Sequence, residues 1–337
     1  MSKPILTIVV PCYNEEEVLE TTIKVLDKKL TQFINNHIVS EKSNILFVDD
    51  GSKDRTWSII YKESLYNSKV NGLKLARNVG HQHALYAGLI TAKNSADCVV
   101  SIDADLQDDV DSIVEFLLKF DEGFDIVYGV RDKRDTDRYF KKTTAEAFYK
   151  FMKKLGVNLI YNHADFRLMS RRAVEELEKF EEVNLFLRGI VPLIGFPSTS
   201  VYYNRKERLA GETKYPLRKM LSFAFEGITS FSITPIRFVL FLGFLSFFTS
   251  ILFGTYFISL KFLGETETGW TSLITSIWLI GGLQLIAIGL IGEYIGKIYK
   301  ESKRRPRYSV DIDTLNLKQS LLGRNIGSNE PDHRELL

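Results

Sequence analysis

Three oxygen-bearing side chains that could hold a metal ion follow a short apolar run. The run Cys98–Ile102 leads directly into Asp103, Asp105 and Gln107. On an extended backbone, residues two apart point to the same side, and two carboxylates held together are costly unless a cation lies between them. Carboxylate and amide oxygens favour Mg²⁺ or Mn²⁺, which in proteins usually also bind phosphate oxygens. Taken alone, an Asp-x-Asp pair is equally consistent with a solvated turn after a strand.

Polar motifs also follow three apolar runs earlier in the chain. The runs Ile5–Val10, Asn44–Val48 and Gly72–Leu75 lead into PCYNEE, DDGSKD and ARNVGH, each followed by a helical segment, and a further run covers Phe124–Tyr128. This alternation predicts an α/β fold with a doubly wound, mostly parallel sheet. Such sheets bind ligands beyond the carboxyl ends of their strands, so we expect these motifs and the carboxylate pair to form one site.

The pattern becomes less regular between residues 132 and 215. It predicts a helix over about Lys141–Lys154, and a polar segment from Asp165 that leads into a second helix, Arg171–Lys179. Val201–Arg205 alternates like a strand, and a polar loop follows at 208–215. We therefore expect a single cytoplasmic domain over residues 1–215.

Two long apolar segments occupy the last third of the chain. Phe238–Phe262 has Lys261 as its one charged residue, and Trp270–Gly292 has none. A helix needs ~20 apolar residues to cross a bilayer, so both segments are predicted to be transmembrane helices. The preceding residues 216–234 have an apolar face at helical spacing, which predicts an amphipathic helix in the membrane interface. The expected units are therefore 1–215, 216–234, a two-helix anchor over 235–300, and a tail over 301–337.

The charges that flank the apolar segments predict the orientation of the chain. The short loop between them contains Glu265 and Glu267, whereas six basic residues follow the second segment. Because cytoplasmic flanks are enriched in Lys and Arg, we expect a multi-pass protein of the cell membrane with both termini in the cytoplasm. The tail Ser309–Leu337 is polar and is expected to be loosely ordered.

Composition excludes several other classes of protein. The chain has 44 basic and 42 acidic residues, a net charge of +2, which gives no electrostatic reason to expect a nucleic-acid partner. The two cysteines, Cys12 and Cys98, lie in apolar runs and predict no disulfide framework. No Gly-x-Gly-x-x-Gly or Gly-x4-Gly-Lys pattern follows a strand, which argues against dinucleotide and P-loop sites.

Five motifs in a fixed order resemble one family. VPCYNEE, VDDGSKDRT, RNVGHQHAL and DADLQDD, together with the terminal pair of apolar segments, are similar to family 2 glycosyltransferases, and in particular to the membrane-anchored polyprenyl-phosphate glycosyltransferases. The resemblance covers about residues 5 to 300. It implies the A-type glycosyltransferase fold and a nucleotide diphosphate sugar as donor.

The resemblance also implies roles for residues at the strand ends. Pro11, Tyr13 and Glu15 would flank the nucleoside, and Asp50 would accept a hydrogen bond from the base. Asp103 would lie beside the ribose and the metal, while Asp105 and Gln107 would hold the cation, Mg²⁺ or Mn²⁺. Asp105 would thus be catalytic through the metal, which neutralises a diphosphate leaving group.

A lipid monophosphate is the acceptor that the family implies, and its oxygens require cations. Arg131, Arg208 and Lys214 are the candidates, and each could equally be a solvated surface charge. Asp165 matches an aspartate that is often proposed as a catalytic base. Because a phosphate monoester is largely a dianion at neutral pH, Asp165 could instead orient a sugar hydroxyl or an arginine. His81 could also contact substrate.

The function predicted from these observations is an inverting hexosyl transfer. The donor would be UDP-glucose and the acceptor undecaprenyl phosphate at the cytoplasmic membrane face, giving a lipid-linked sugar for modification of cell-envelope glycans. N-acetylglucosamine, galactose or mannose could replace glucose. A processive polysaccharide synthase is disfavoured because no tryptophan follows an arginine as in Gln-x-x-Arg-Trp. A non-catalytic scaffold is disfavoured by the complete set of metal ligands, and a homo-oligomer is compatible with the resemblance.

Overall fold

A computed structural model describes residues 3–131, 163–182, 185–204, 234–262 and 269–318. The chain divides into two compact units. The first comprises Met1–Lys142, Leu159–Lys214 and Pro306–Leu337, and the second comprises Thr143–Asn158 and Tyr215–Arg305. The predicted helix over Lys141–Lys154, the polar loop 208–215 and nearly all of the predicted interfacial helix lie outside the described residues.

The first unit alternates strands and helices over most of its length. Its elements are β1 (Leu6–Cys12), α1 (Leu19–Asn35), β2 (Asn44–Asp49), α2 (Thr56–Tyr66), β3 (Val70–Leu75), α3 (His81–Ala92), β4 (Cys98–Ser101), α4 (Ile113–Asp121), β5 (Ile126–Arg131), β6 (His163–Ser170), α5 (Arg171–Glu178), α6 (Leu187–Ile190), β7 (Ser198–Tyr203) and β8 (Val310–Asp313).

These strands form one mixed sheet in the order β7-β5-β6-β4-β1-β2-β3-β8. The neighbours β3, β2, β1 and β4 run parallel, as predicted, and β5 runs parallel to β7. Strand β6 is antiparallel to both β4 and β5, and β8 is antiparallel to β3. The prediction of a mostly parallel sheet is therefore correct for the central strands and incomplete at the strands that were not foreseen, β6 and β8.

Strand β6 was not foreseen because charged residues interrupt its apolar pattern. Phe166, Leu168 and Met169 are buried, and so are the charged residues Asp165 and Arg167. Buried charges are unusual unless they are paired, and these two side chains form an ion pair with each other. The segment is therefore extended and interior, although its composition suggested a polar approach to a helix.

Apolar side chains from both faces of the sheet form the core. Every residue of β1, β2 and β4 is buried, as expected for strands that helices cover on both sides. Helix α3 packs so closely that a Cβ on Gly88 would lie 2.4 Å from Cγ1 of Val9 and 2.7 Å from Cγ2 of Val48. Cys12 and Cys98 are free and buried, and burial raises the pKa of both thiols, in agreement with packed rather than nucleophilic cysteines.

The segment after residue 305 is part of the first unit. Strand β8 pairs with β3, and the backbone N–H of Gly72 donates to Oγ1 of the buried Thr314 at 2.8 Å. The guanidinium of Arg307 lies over the Tyr86 ring and donates to the carbonyl of Phe180. The expectation of a loosely ordered tail is therefore wrong for residues 310–318, because β8 satisfies the open edge of β3.

Two long helices, α7 (Thr234–Phe262) and α8 (Trp270–Ser302), belong to the second unit. Many of their large apolar side chains are exposed, among them Phe241, Phe248 and Ile288. Within the described residues, one stretch is long and apolar enough to cross a membrane, Leu279–Ser302, and a shorter apolar stretch, Ile236–Leu245, lies in α7. The described residues thus contain one candidate membrane span where the sequence predicted two.

Candidate active site

The loops that follow β1 and β2 are tied together at the carboxyl edge of the sheet. The backbone N–H of Asn14 donates to Oγ of Ser52 at 3.0 Å, and the Asn14 side chain accepts from the backbone N–H of Lys53 at 2.8 Å. The N–H of Glu15 donates to Oγ1 of Thr56 at 2.9 Å. These contacts hold exposed Tyr13 at the edge of the sheet, so the predicted nucleoside-binding segment is a fixed feature of the fold.

Asp50 fixes the loop that leads into α3. Its backbone N–H donates to the carbonyl of Cys12 at 2.9 Å, and its carboxylate accepts from the N–H groups of Val79 at 2.7 Å and Gly80 at 2.9 Å. Burial raises its pKa, and these two hydrogen bonds oppose the shift. The buried carboxylate thus holds the loop in place, a role that the sequence did not indicate. Its contact with the nucleotide base stays a prediction.

The loop that contains the predicted metal ligands is anchored to three elements. The hydroxyl of Thr22 in α1 donates to the carbonyl of Ala104 at 2.6 Å. The buried Asp108 accepts from Arg131 at the end of β5, at 3.1 Å, and from the hydroxyl of Tyr203 at the end of β7. Asp108, which the sequence analysis passed over, therefore determines the position of this loop.

Arg131 lies beside this loop, and its side chain binds other residues of the protein. Its guanidinium donates to Oδ1 of Asp108 and, at 3.3 Å, to the hydroxyl of Tyr203, and its side chain is 18% exposed. The other two predicted phosphate ligands, Arg208 and Lys214, lie outside the described residues. The acceptor role of all three residues stays a prediction.

Asp103 lies opposite Asp165, with His81 between the two carboxylates. Nε2 of His81, in the first turn of α3, lies 3.7 Å from Oδ1 of Asp103 and 3.4 Å from Oδ2 of Asp165. The His81 side chain is 43% exposed and that of Asp103 is 38% exposed. The structure thus brings together Asp103, which follows β4, Asp165 in β6 and His81 in α3, three residues that are far apart in the sequence.

The carboxylate of Asp165 is surrounded by donors. Oδ1 accepts from Arg167 at 2.7 Å and from Nε of Arg188 at 3.3 Å, while Oδ2 accepts from Arg188 at 3.1 Å and from the amide of Gln82 at 3.2 Å. Arg188 and Gln82 were missed because no local motif contains either residue together with Asp165. The position of Gln82 beside His81 was the one available signal.

These contacts shift the pKa values of Asp165 and His81 in opposite directions. Burial alone would raise the pKa of Asp165, but Arg188, His81 and Arg167 together hold it well below its usual range. Burial would lower the pKa of His81, but Asp165 and Asp103 raise it to about 9. These contacts therefore favour the anionic form of Asp165 and the imidazolium form of His81.

The predicted metal ligands have the donor chemistry of a site for Mg²⁺ or Mn²⁺. Burial raises the pKa of Asp103 to about 6, His81 opposes the shift, and the charges of Asp108, Asp165 and Asp105 add to it. A divalent cation would relieve this repulsion. No group of three His, Cys, Asp or Glu side chains within the described ranges is arranged to hold a metal. The oxygens of Asp103, Asp105 and Gln107 fit a cation whose coordination is completed by substrate and water.

Comparison with known proteins identifies the family of the chain. The sequence model described as glycosyl transferase family 2 matches residues 7–178. The chain belongs to glycosyl transferase family 2. It is therefore a glycosyltransferase, and the matched residues include all the strand-end motifs up to Asp165.

Relatives match nearly the whole chain. YkoT of Bacillus subtilis (strain 168), described as an uncharacterized glycosyltransferase, is 62% identical over 96% of this chain and 96% of its own length. The bactoprenol glucosyl transferase of Shigella phage SfV is 42% identical over 90% of this chain and 97% of its own length. The identity extends well beyond the residues that the family model covers.

Among solved structures, glucosyl-3-phosphoglycerate synthase from Mycobacterium tuberculosis, crystallised with Mn²⁺, uridine diphosphate and phosphoglyceric acid, is similar in fold. The TM-score is 0.45 at 18% identity, and the match covers 67% of this chain and 76% of that chain.

Proposed function

We propose that this protein transfers a hexose, with inversion, from a nucleotide diphosphate sugar to undecaprenyl phosphate. UDP-glucose is the proposed donor, and the product is a lipid-linked sugar for cell-envelope glycans. The observation that carries the proposal is the arrangement at the sheet edge, where the carboxylate of Asp103 lies beside His81 and the cationic surroundings of Asp165. The relatives named bactoprenol glucosyl transferase support the choice of acceptor and sugar.

The donor is proposed to bind against the loops after β1, β2 and β4. Tyr13, Pro11 and Glu15 flank the nucleoside, and Asp50 recognises the base or shapes the loop that does so. Asp103 is placed beside the ribose. The hydrogen bonds between the β1 and β2 loops support this assignment, because a preformed pocket loses less conformational entropy on binding.

Asp103, Asp105 and Gln107 are proposed to hold Mg²⁺ or Mn²⁺ against the diphosphate. Such an ion, when bound, neutralises the charge that develops on the leaving group. The anchoring of this loop by Asp108 and Thr22 supports the assignment, since metal ligands must be held in place before the substrate arrives.

On the acceptor side, a phosphate oxygen of the lipid attacks the anomeric carbon as the bond from that carbon to the diphosphate breaks. Arg131, Arg208 and Lys214 are proposed to bind the lipid phosphate. The nucleophile is already ionised at neutral pH, so the step requires no proton transfer. Asp165 is therefore proposed to orient its cationic neighbours, and its low pKa supports this role over that of a base.

The second unit is proposed to place the site at the membrane, as a multi-pass anchor formed by α7 and α8. Both termini would be cytoplasmic, and residues 216–234 would lie in the interface. The exposed apolar side chains of α7 and α8 support a lipid environment.

In intact cells, a membrane-impermeant thiol reagent should label Gly269→Cys and spare Leu317→Cys. The opposite pattern would contradict this topology. Crosslinking in the membrane tests the possible homo-oligomer.

The direct test of the donor is a reaction of the purified full-length protein with undecaprenyl phosphate, Mn²⁺ and one nucleotide sugar at a time. We expect UDP-glucose to give a lipid heavier by one hexose, identified by mass spectrometry. If only UDP-N-acetylglucosamine, UDP-galactose or GDP-mannose gives a lipid product, the proposed reaction stands and the sugar of that donor takes the place of glucose. Release of free sugar from every donor without a lipid product would contradict the proposal.

A further inference from the structure

More cationic groups contact the carboxylate of Asp165 than its own charge requires. Arg167, whose side chain is 1% exposed, lies 2.7 Å from Oδ1 and by itself balances the Asp165 charge inside the protein. Arg188 then contributes a second guanidinium to the same carboxylate. Its side chain is 35% exposed, so Arg188 is the more accessible of the two arginines.

Arg188 is also held by the backbone that precedes it. The N–H of Leu187 donates to Oε1 of Gln82 at 3.1 Å, and the carbonyl of Leu187 accepts from Arg167 at 3.5 Å. The amide of Gln82 in turn donates to Asp165. Both backbone polar groups of Leu187 are thus hydrogen-bonded to side chains that also contact Asp165.

The pair of Asp165 and Arg167 is buried, whereas the side chain of Arg188, which joins the same carboxylate, is 35% exposed. Two guanidinium groups on one carboxylate repel each other, and an anion that binds beside Arg188 would offset this repulsion. A guanidinium that a carboxylate holds on one edge is preorganised to donate to phosphate oxygens, which arginine binds in a bidentate manner.

We propose that Arg188 binds a phosphate oxygen of the substrates, and that Gln82 acts as a positioning residue for it through Leu187 and Asp165. The inference rests on the proposed function, since it assigns a contact within the same reaction. The phosphate belongs either to the lipid acceptor or to the diphosphate of the donor, because both must lie near Asp103 during the transfer.

Kinetics of Arg188→Ala, Arg188→Lys and Gln82→Ala in the full-length protein test the proposal. Loss of a charged hydrogen bond to phosphate should raise one KM by ~10- to 100-fold in Arg188→Ala. Arg188→Lys should recover part of this loss, since it keeps the charge without the bidentate geometry. Gln82→Ala should raise the same KM by a smaller factor. An increase in the KM for the lipid phosphate assigns the contact to the acceptor, and one for the nucleotide sugar assigns it to the donor.

Arg171→Ala is the matched control. Arg171 is a half-exposed arginine that pairs with Asp97 at the opposite end of β4, and its loss should leave both KM values unchanged. If both KM values stay within twofold of the parent in Arg188→Ala, the proposal is wrong. Should Arg188→Ala fail to fold, the same criterion applies to Arg188→Lys.

Binding measurements separate this inference from the proposed function. Calorimetric titration of the full-length protein with UDP and Mn²⁺, and with a short isoprenyl monophosphate, requires no turnover. Weaker binding of either probe by Arg188→Ala supports the phosphate contact even if no glycolipid is formed by the parent. Equal binding of both probes by the parent and the variant overturns the inference, even if the parent makes the expected product.

Discussion

The surroundings of Asp165 favour its ionised form, and this limits its role in transfer. Two arginines and His81 hold its pKa well below the usual range, against the effect of burial. A base with such a low pKa has little affinity for a proton at neutral pH. At the scale of single residues, Asp165 holds Arg167, Arg188 and His81 in fixed orientations around its carboxylate.

The first prediction concerns the pH dependence of Asp165→Asn. Because the pKa of Asp165 lies well below its usual range, its own ionisation should not change over pH 6–9, and the ratio of parent to variant rates should be nearly constant apart from the titration of His81, whose pKa Asp165 raises. The measurement is a pH–rate profile of both proteins with saturating lipid phosphate. A recovery of the variant by more than ~10-fold as pH rises would make Asp165 a base.

Asp105 tests the metal assignment. Asp105→Asn removes one anionic ligand and keeps the side-chain volume, so turnover should be abolished while the thermal unfolding temperature stays close to that of the parent. Activity of the parent should vanish with a chelator and return with Mg²⁺ or Mn²⁺. Full parental activity in the presence of the chelator would contradict the metal site.

At the scale of elements, Asp108 connects the metal-ligand loop to β5 and β7. Its side chain is almost fully buried and depends on Arg131 and Tyr203 for its partners. Removal of one partner of a buried ion pair typically costs ~3–5 kcal/mol, because the remaining charge stays buried. Arg131 is therefore expected to contribute to stability as well as to the proposed binding of phosphate.

Arg131→Ala should lower the free energy of unfolding by roughly that amount, measured by chemical denaturation. Asp108→Asn in the same background should restore part of the stability, since it removes the unpaired charge. If the KM for lipid phosphate stays raised in the double variant, Arg131→Ala with Asp108→Asn, the increase results from loss of the contact with the acceptor and not from loss of stability. An unchanged free energy of unfolding in Arg131→Ala would contradict the structural role.

The C-terminal strand offers a second test at this scale. Thr314→Val keeps the shape of the side chain and leaves the N–H of Gly72 without its acceptor, which should cost ~1–3 kcal/mol. Thr314→Ser retains the hydroxyl and should cost less. Equal thermal unfolding temperatures for Thr314→Val and the parent would show that this hydrogen bond contributes nothing to stability.

The sequence predicted the elements whose patterns are local. Short, mostly apolar runs identified β1 to β5, and alternation identified β7. Strand β6 was hidden because Asp165 and Arg167 neutralise each other in the interior. Strand β8 was hidden because it is short and polar and pairs with a strand more than two hundred residues earlier. Likewise, DADLQ could be read as a metal site, whereas Arg188 and Gln82 meet Asp165 only through the fold.

At the scale of the whole molecule, the proposed function requires a soluble donor and a membrane lipid to meet at one site. The first unit contains most of the residues that match glycosyl transferase family 2, and the second unit contains helices with exposed apolar side chains. Holding the acceptor in the plane of the membrane would raise its effective concentration at the site. The phosphate of the lipid is the group on which this account depends, because it is both the anchor in the site and the nucleophile.

The most direct test therefore compares two acceptors that differ only in that phosphate. Full-length protein in detergent is incubated with UDP-glucose, Mn²⁺ and either undecaprenyl phosphate or undecaprenol, with Asp105→Asn as the inactive control, and the lipids are analysed by mass spectrometry. We predict a hexosyl-phospholipid from undecaprenyl phosphate alone and no product from the variant. Glycosylation of undecaprenol at a comparable rate, or no lipid product from undecaprenyl phosphate with any nucleotide sugar, would contradict the account.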